Sequence, residues 1–304
     1  MAGSPSDTPP PRIDLAGAYR QLQRLQATAP EPAWLVSEVG RRMAERLAWI
    51  KNQPQQALLW WPELGGGADL LRRHYPGAKL QARTTPGAGP ARAGTWQDRL
   101  KRPFQPAPPA VFDPTQAGSV QLVWANMMLH WVNDLRPLLS TWHQALATDG
   151  FLMFSCLGPD TLRTLHDLHQ ALGQGQAGPA FTDMHDLGDA LVHAGFADPV
   201  MDMEMLTLSW PDAHALLAEL RTLGGNTAPG RFAGLRTPRW RTHWLQALET
   251  QLRGPDGRLH LRFEIIYGHA FKPLPRPRVA EHTTVSLDEM RSLIRGPKPG
   301  NANS

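Results

Sequence analysis

Two apolar runs bracket the most regular stretch of the chain. Val120 to Ala125 reads as a buried strand that stops at the polar, aromatic-rich step Asn126 to Trp131. Leu135, Leu138, Leu139, Trp142 and Leu146 then share one helical face, with Asn133 or Asp134 placed to cap it. Thr148-Asp149-Gly150 turns into a second apolar run, Phe151 to Cys156. Strand, loop, helix, turn, strand is a βαβ unit, and ligands of such sheets sit beyond the carboxyl ends of the strands. Here that place is Asn126 to Trp131.

The same patterning extends in both directions. Leu35, Val39, Met43, Leu47 and Ile50 predict an amphipathic helix from Trp34 to Ile50. Ala57 to Trp61 predicts a strand, Ala68 to His74 a helix and Ala78 to Ala82 a second strand, with Gly65, Gly66 and Gly67 between the first two. Downstream, helices are expected from about Asp160 to Leu172, from Asp183 to the stop at Gly195, from Ser209-Trp210-Pro211 onward and from Pro238 to Leu252. Strands are expected at Val200 to Leu208 and Arg258 to Tyr267. Residues 84–118 are Pro- and Gly-rich and predict little regular structure beyond one short element near Thr95 to Leu100, so a third strand is poorly supplied. Residues 1–12 read as a disordered N-terminus, 13–272 as one domain with a helical insertion at 209–257, and 273–304 as a C-terminal tail.

Composition narrows the class. At 304 residues and 41% hydrophobic content, the chain suits one large domain with an ample core. No apolar run approaches the roughly 20 residues of a membrane helix, and the first residues lack the charged start and apolar stretch of a signal peptide, so a cytoplasmic location is expected. The single cysteine, Cys156, excludes an intrachain disulfide. A net charge of +4 without blocks of like charge argues against a nucleic-acid arm. His166 and His169 are three apart on a predicted helix, but no carboxylate or cysteine completes a metal set, and they read as solvated.

The stretches VQLVWANMMLHWVNDL, ATDGFLMFSCLGPDTL, FTDMHDLGDALVHAGFADPVMD and FEIIYGHAFKP resemble the class I S-adenosyl-L-methionine-dependent methyltransferases. Their closest branch is the malonyl-acyl-carrier-protein O-methyltransferases of biotin synthesis, together with related complex I assembly methyltransferase-like proteins. The resemblance is loose over 34–83 and good over 119–272. It implies an α/β fold: a Rossmann-like open sheet with an N-terminal helical lid and a helical insertion before the last strand. It implies S-adenosyl-L-methionine as cofactor, held by Gly65, Gly66, Gly67, Asn126 and Met127. His130 and Trp131 would wall the methyl-transfer cavity, and Tyr19 would come from the lid. An arginine of the insertion, such as Arg231, Arg236 or Arg239 within the wider cluster with Arg221 and Arg241, would meet a malonyl carboxylate or the acidic surface of an acyl-carrier protein.

The first half departs from the family pattern. The family carries an acid at the end of the first strand and another at the end of the second; here those places hold Trp60-Trp61-Pro62 and Arg83-Thr84. Losing a charged hydrogen bond costs about 1.5–3 kcal/mol, or roughly ten- to a hundredfold in affinity. Glu63 can replace such an acid only if the loop around it is rebuilt. Two readings therefore stand at this point: a methyltransferase acting on malonyl-acyl-carrier protein, or a non-catalytic protein that keeps the fold and binds a protein partner.

Overall fold

A computed structural model of the chain describes residues 13–28, 32–86, 109–232 and 234–274. The expected disordered N-terminus, the element near Thr95 to Leu100 and nearly all of the C-terminal tail lie outside the described residues.

Seven strands form one sheet in the order β3-β2-β1-β4-β5-β7-β6. They are β1 (Gln56–Trp60), β2 (Lys79–Arg83), β3 (Ala110–Val111), β4 (Val120–Ala125), β5 (Leu146–Leu157), β6 (Ala197–Trp210) and β7 (Leu259–Phe271). The first five are parallel, and β7 runs antiparallel between β5 and β6. The helices among the described residues are α1 (Leu15–Thr28), α2 (Trp34–Arg46), α3 (Pro62–Gly65), α4 (Ala68–His74), α5 (Leu135–Ala145), α6 (Arg163–Ala171), α7 (Met184–His193), α8 (Ala213–Thr222) and α9 (Pro238–Leu252). This is the open α/β sheet expected, with α1 preceding it as the lid and α8 and α9 inserted between β6 and β7.

Alternation along β1 divides the core. Ala57 and Leu59 join an apolar cluster with α2, α4, α6, α8 and α9; Leu58 and Trp60 join a second with α1, α5 and α7. Both faces of the sheet are thus covered, which is why β1 and β4 read as continuous apolar runs rather than alternating ones. Cys156 is buried in the second cluster.

Caps explain most helix starts. Asp134 accepts from the Arg136 amide, Asp183 from His185 and Thr237 from Trp240. One start differs from expectation. β6 runs through Trp210, and α8 begins two residues later than Pro211, where Asp212 accepts from the Ala215 amide at 2.8 Å. Replacing Asp212 with Ala is expected to cost about 1 kcal/mol in urea denaturation.

The expected strands β5, β6 and β7 were too short. β7 pairs along both edges, from Phe151↔Phe271 to Leu157↔Ile265 and from Ala197↔Phe271 to Trp210↔Leu259, so the ladder continues beyond the apolar runs. Among the described residues, no helix is long and apolar enough to cross a membrane.

Candidate functional site

Three strand ends converge on one side of the sheet, and each is followed by a non-glycine residue in the left-handed region: Trp61 (φ 53°) after β1, Met127 (φ 50°) after β4 and Leu162 (φ 58°) after β5. Each such residue costs on the order of 1–3 kcal/mol and persists where surrounding contacts determine it. Those contacts are visible. The Trp61 amide donates to the Arg83 carbonyl at 2.7 Å, Met127 to the Ser155 carbonyl at 3.0 Å and Leu162 to the Arg262 carbonyl at 2.8 Å.

Asn126 holds this crevice together. It is buried, and its Nδ2 donates to the carbonyls of Val36 at 2.9 Å and Gly65 at 2.7 Å. Its Oδ1 accepts from Ser155 Oγ at 2.7 Å. Every hydrogen-bonding position that faces a protein group is used, so the side chain joins α2, the glycine loop and β5 rather than facing a ligand. The glycines follow the same logic. A methyl group on Gly65 would overlap the Asn126 carbonyl, and one on Gly67 would overlap the Trp124 indole. Their bareness lets the loop close on β4; only Gly66 faces toward the lid, at Pro32.

Between the strand ends and the lid lies a narrow cleft of about 40 Å³, lined by Leu25 of α1, Pro32 and Ala33 before α2, Glu63, Met127, His130 and Trp131. Glu63, able to replace the missing acid only in a rebuilt loop, is among them. The left-handed turn at Trp61 and the short α3 rebuild the loop, and both carboxylate oxygens of Glu63 are buried without a hydrogen-bond partner. Burial pushes its pKa up.

Beyond His130 and Trp131 a second, larger cavity opens, of about 240 Å³. Its wall is mainly apolar, with Leu162, Leu165, Phe181, Leu217, Leu220 and Trp244. His166 and His169 of α6 also line it, which corrects their reading as solvated. Both are half-buried with one ring nitrogen sealed and unpartnered, and burial lowers both pKa values. Among the described residues they belong to no group able to hold a metal ion. Arg221, at the exposed end of α8, is the arginine that lines this cavity. His130 lines both spaces; its Nδ1 is sealed and unpartnered, and burial lowers its pKa to about 4. Trp131 lies beside it, with ring centroids 5.2 Å apart.

The remaining candidates are not brought together there. Arg231 pairs with Asp14 and donates to the Ala228 carbonyl, while the Asp14 amide donates to Thr227; this latches the base of α1 onto the insertion. The Arg236 guanidinium lies 3.4 Å over the Phe232 ring and 4.4 Å over Trp240. Arg239 is exposed on α9 and lines neither space. Tyr19 is 41% exposed, and Leu25 is the α1 residue that reaches the cleft. In the sequence Arg221 is one of a cluster of arginines; its position at the end of α8, beside the Leu217 and Leu220 stripe, is what brings it to the cavity.

No family model matches the chain. The malonyl-acyl-carrier protein O-methyltransferase of Laribacter hongkongensis is 38% identical over 295 residues, covering 92% of this chain and 95% of that protein. The protein of the same name from Gallionella capsiferriformans is 39% identical over 273 residues, covering 87% and 93%. Among solved structures, the YcgJ protein of Bacillus subtilis matches with a TM-score of 0.50 at 8% identity, covering 79% of this chain and 100% of that one. That likeness shows the fold.

Proposed function

The chain belongs to the malonyl-acyl-carrier protein O-methyltransferase family, and on that premise we propose that it methylates the free carboxylate of a malonyl thioester carried by acyl-carrier protein, with S-adenosyl-L-methionine as the methyl donor, in biotin synthesis. The observation that carries this reading is the pair of spaces meeting at His130 and Trp131: a narrow cleft at the strand ends and an apolar cavity with an arginine at its rim.

The cleft suits the cofactor chemically. Glu63 offers two unpartnered carboxylate oxygens, a place for the donors of a ribose or an ammonium group. Met127 and Leu64 add apolar wall, and Gly66 leaves open backbone beneath Pro32. The cleft, about 40 Å³, is smaller than a nucleoside, so admission requires its lining from α1 and Pro32 to move outward. When bound, S-adenosyl-L-methionine supplies an electrophilic methyl group.

The chain's own work is placement. A carboxylate is already the nucleophile, so no general base is needed; the protein must align it and strip its water. The leucines, Phe181 and Trp244 exclude water from the cavity. Arg221 supplies the charge that a carboxylate needs on entering an apolar space, and the neutral imidazoles of His166 and His169 offer hydrogen bonds without competing charge. Trp131 is held against Gly224 of the insertion, where any side chain would overlap its ring, and so fixes the partition between the two spaces.

The test is transfer of labelled methyl from S-adenosyl-L-methionine to purified malonyl-acyl-carrier protein, read as a methyl ester by mass. Ester formation is expected; none at saturating cofactor favours a non-catalytic, partner-binding protein. Arg221→Ala is expected to lower kcat/KM for the acceptor about ten- to a hundredfold, mainly through KM, whereas Arg239→Ala leaves it within about twofold. Equal losses in the two variants would remove Arg221 from the acceptor site.

A further inference from the structure

Asp14 stands where α1 begins, and two contacts fasten it to the insertion. Its carboxylate pairs with the Arg231 guanidinium, and its amide donates to the Thr227 carbonyl at 2.8 Å. The same guanidinium donates to the Ala228 carbonyl at 2.9 Å, so Arg231 braces its own segment while holding α1. Arg231 keeps the Asp14 carboxyl below the usual carboxylate range, and the pair is charged at neutral pH. Gly17, in the first turn of α1, makes room for it: a methyl group there would meet Asp14 Oδ2 at 2.6 Å and Arg231 Nη2 at 3.0 Å. Helices otherwise disfavour glycine. The fastened segment is also part of the larger cavity, which Gly225, Asn226 and Thr227 line. Asn226 donates to the Gln176 carbonyl at 2.6 Å and the Gln176 amide to the Gly230 carbonyl at 3.1 Å, tying the segment to the next wall residues, Ala177 and Gly178. At its far end α1 carries Leu25 into the narrow cleft and Gln26 to the Thr85 hydroxyl. One helix thus joins the wall of the cavity to the cleft, roughly 16 Å away along its axis.

We propose that Asp14 and Arg231 are positioning residues that couple the two sites, so that an acceptor seated in the cavity tightens the closure of α1 over the S-adenosyl ligand. This rests on the function proposed above and adds to it a thermodynamic link between acceptor and cofactor. The acceptor packs against Asn226 and Thr227 and steadies their segment, and the ion pair passes that order to the base of α1. Neither Asp14 nor Arg231 lines the cleft or the cavity, so neither needs to touch a ligand. In the sequence Arg231 stood among the arginines expected to meet an acceptor carboxylate; its guanidinium is committed to Asp14 and Ala228 instead. The cleft admits its ligand only when the α1 lining moves, and whatever orders the anchor of α1 shifts that equilibrium. Linkage makes the effect mutual: the cofactor tightens acceptor binding by the same factor.

Isothermal titration with S-adenosylhomocysteine, alone and with saturating malonyl-acyl-carrier protein, reads the coupling as a ratio of two affinities without turnover. In the parent protein the acceptor is expected to tighten binding about five- to tenfold. Asp14→Asn keeps the size and the helix-capping ability of the residue and removes its charge. Arg231→Gln removes the charge from the other side. Each is expected to bring the ratio to about two or less, with affinity in the absence of acceptor changed less than about threefold, and the double variant to lose no more than either alone. A pair that only supports the fold lowers Tm and leaves the ratio intact, which overturns the proposal. So does a loss confined to Arg231→Gln, which would make Arg231 an acceptor contact. A parent protein that transfers methyl yet binds S-adenosylhomocysteine equally with and without acceptor overturns the coupling and leaves the function standing. A parent protein that transfers none overturns both.

Discussion

Asn126→Asp is expected to destabilise the fold by roughly 5 kcal/mol, a large part of the 5–15 kcal/mol typical of a domain. The native amide donates twice, to Val36 and Gly65, and accepts once, from Ser155. A carboxylate keeps the acceptor and turns both donors into an oxygen facing two carbonyl oxygens. Each buried carbonyl left unpaired costs about 1–3 kcal/mol, and the new charge is buried without a partner. Ser155→Ala, which removes one of the three bonds, should cost about 1 kcal/mol plus the effect of releasing the Met127 amide contact at 3.1 Å. Urea denaturation followed by tryptophan fluorescence measures both. A stability of Asn126→Asp within 1 kcal/mol of the parent, combined with lost cofactor affinity, would return Asn126 to direct ligand contact and discard its role as the clamp of the crevice.

Asn126 also illustrates what was legible in the sequence. That a polar residue ends β4 at the ligand side of the sheet followed from the apolar run and the aromatic-rich step behind it. What the side chain does depended on Val36 and Gly65, 90 and 61 residues earlier. Local signals fared best: Asp134 and Asp183 marked helix starts correctly because a cap acts within three residues. β3, two residues long and held only by its pairing with Gln81 and Ala82, had no pattern to reveal it. Glu63 could be named only on a condition, because the sequence alone does not show that the loop in WWPELGGG is rebuilt. Only the left-handed Trp61 brings the carboxylate into the cleft. His166 and His169 were misread because their apolar surroundings arrive from Phe181, Leu217, Leu220 and Trp244, on segments distant in sequence.

His130 should make the protein acid-sensitive in a way that its glutamine variant is not. The unfolded imidazole titrates near 6.5, and burial lowers the folded value to about 4. Between those values the unfolded chain holds a proton that the native state does not, so stability falls as pH drops, by about 1.4 kcal/mol per unit and up to about 3 kcal/mol in total. Above pH 6.5 neither state carries the proton and His130 adds no slope. His166 and His169 share the cavity and are lowered in the same direction, so both proteins will lose some stability in acid. The difference between parent and His130→Gln, measured by urea denaturation from pH 4 to 8, isolates the one ring. Parallel curves would mean that His130 charges freely in the fold. The expected divergence has a consequence for the chemistry. An imidazole that stays neutral at pH 7, between Glu63 on the cleft side and Arg221 on the cavity side, can donate or accept a hydrogen bond at Nδ1 but cannot offset an incoming carboxylate. Charge recognition of the acceptor then falls to Arg221, and acceptor KM should stay nearly flat from pH 6.5 to 8.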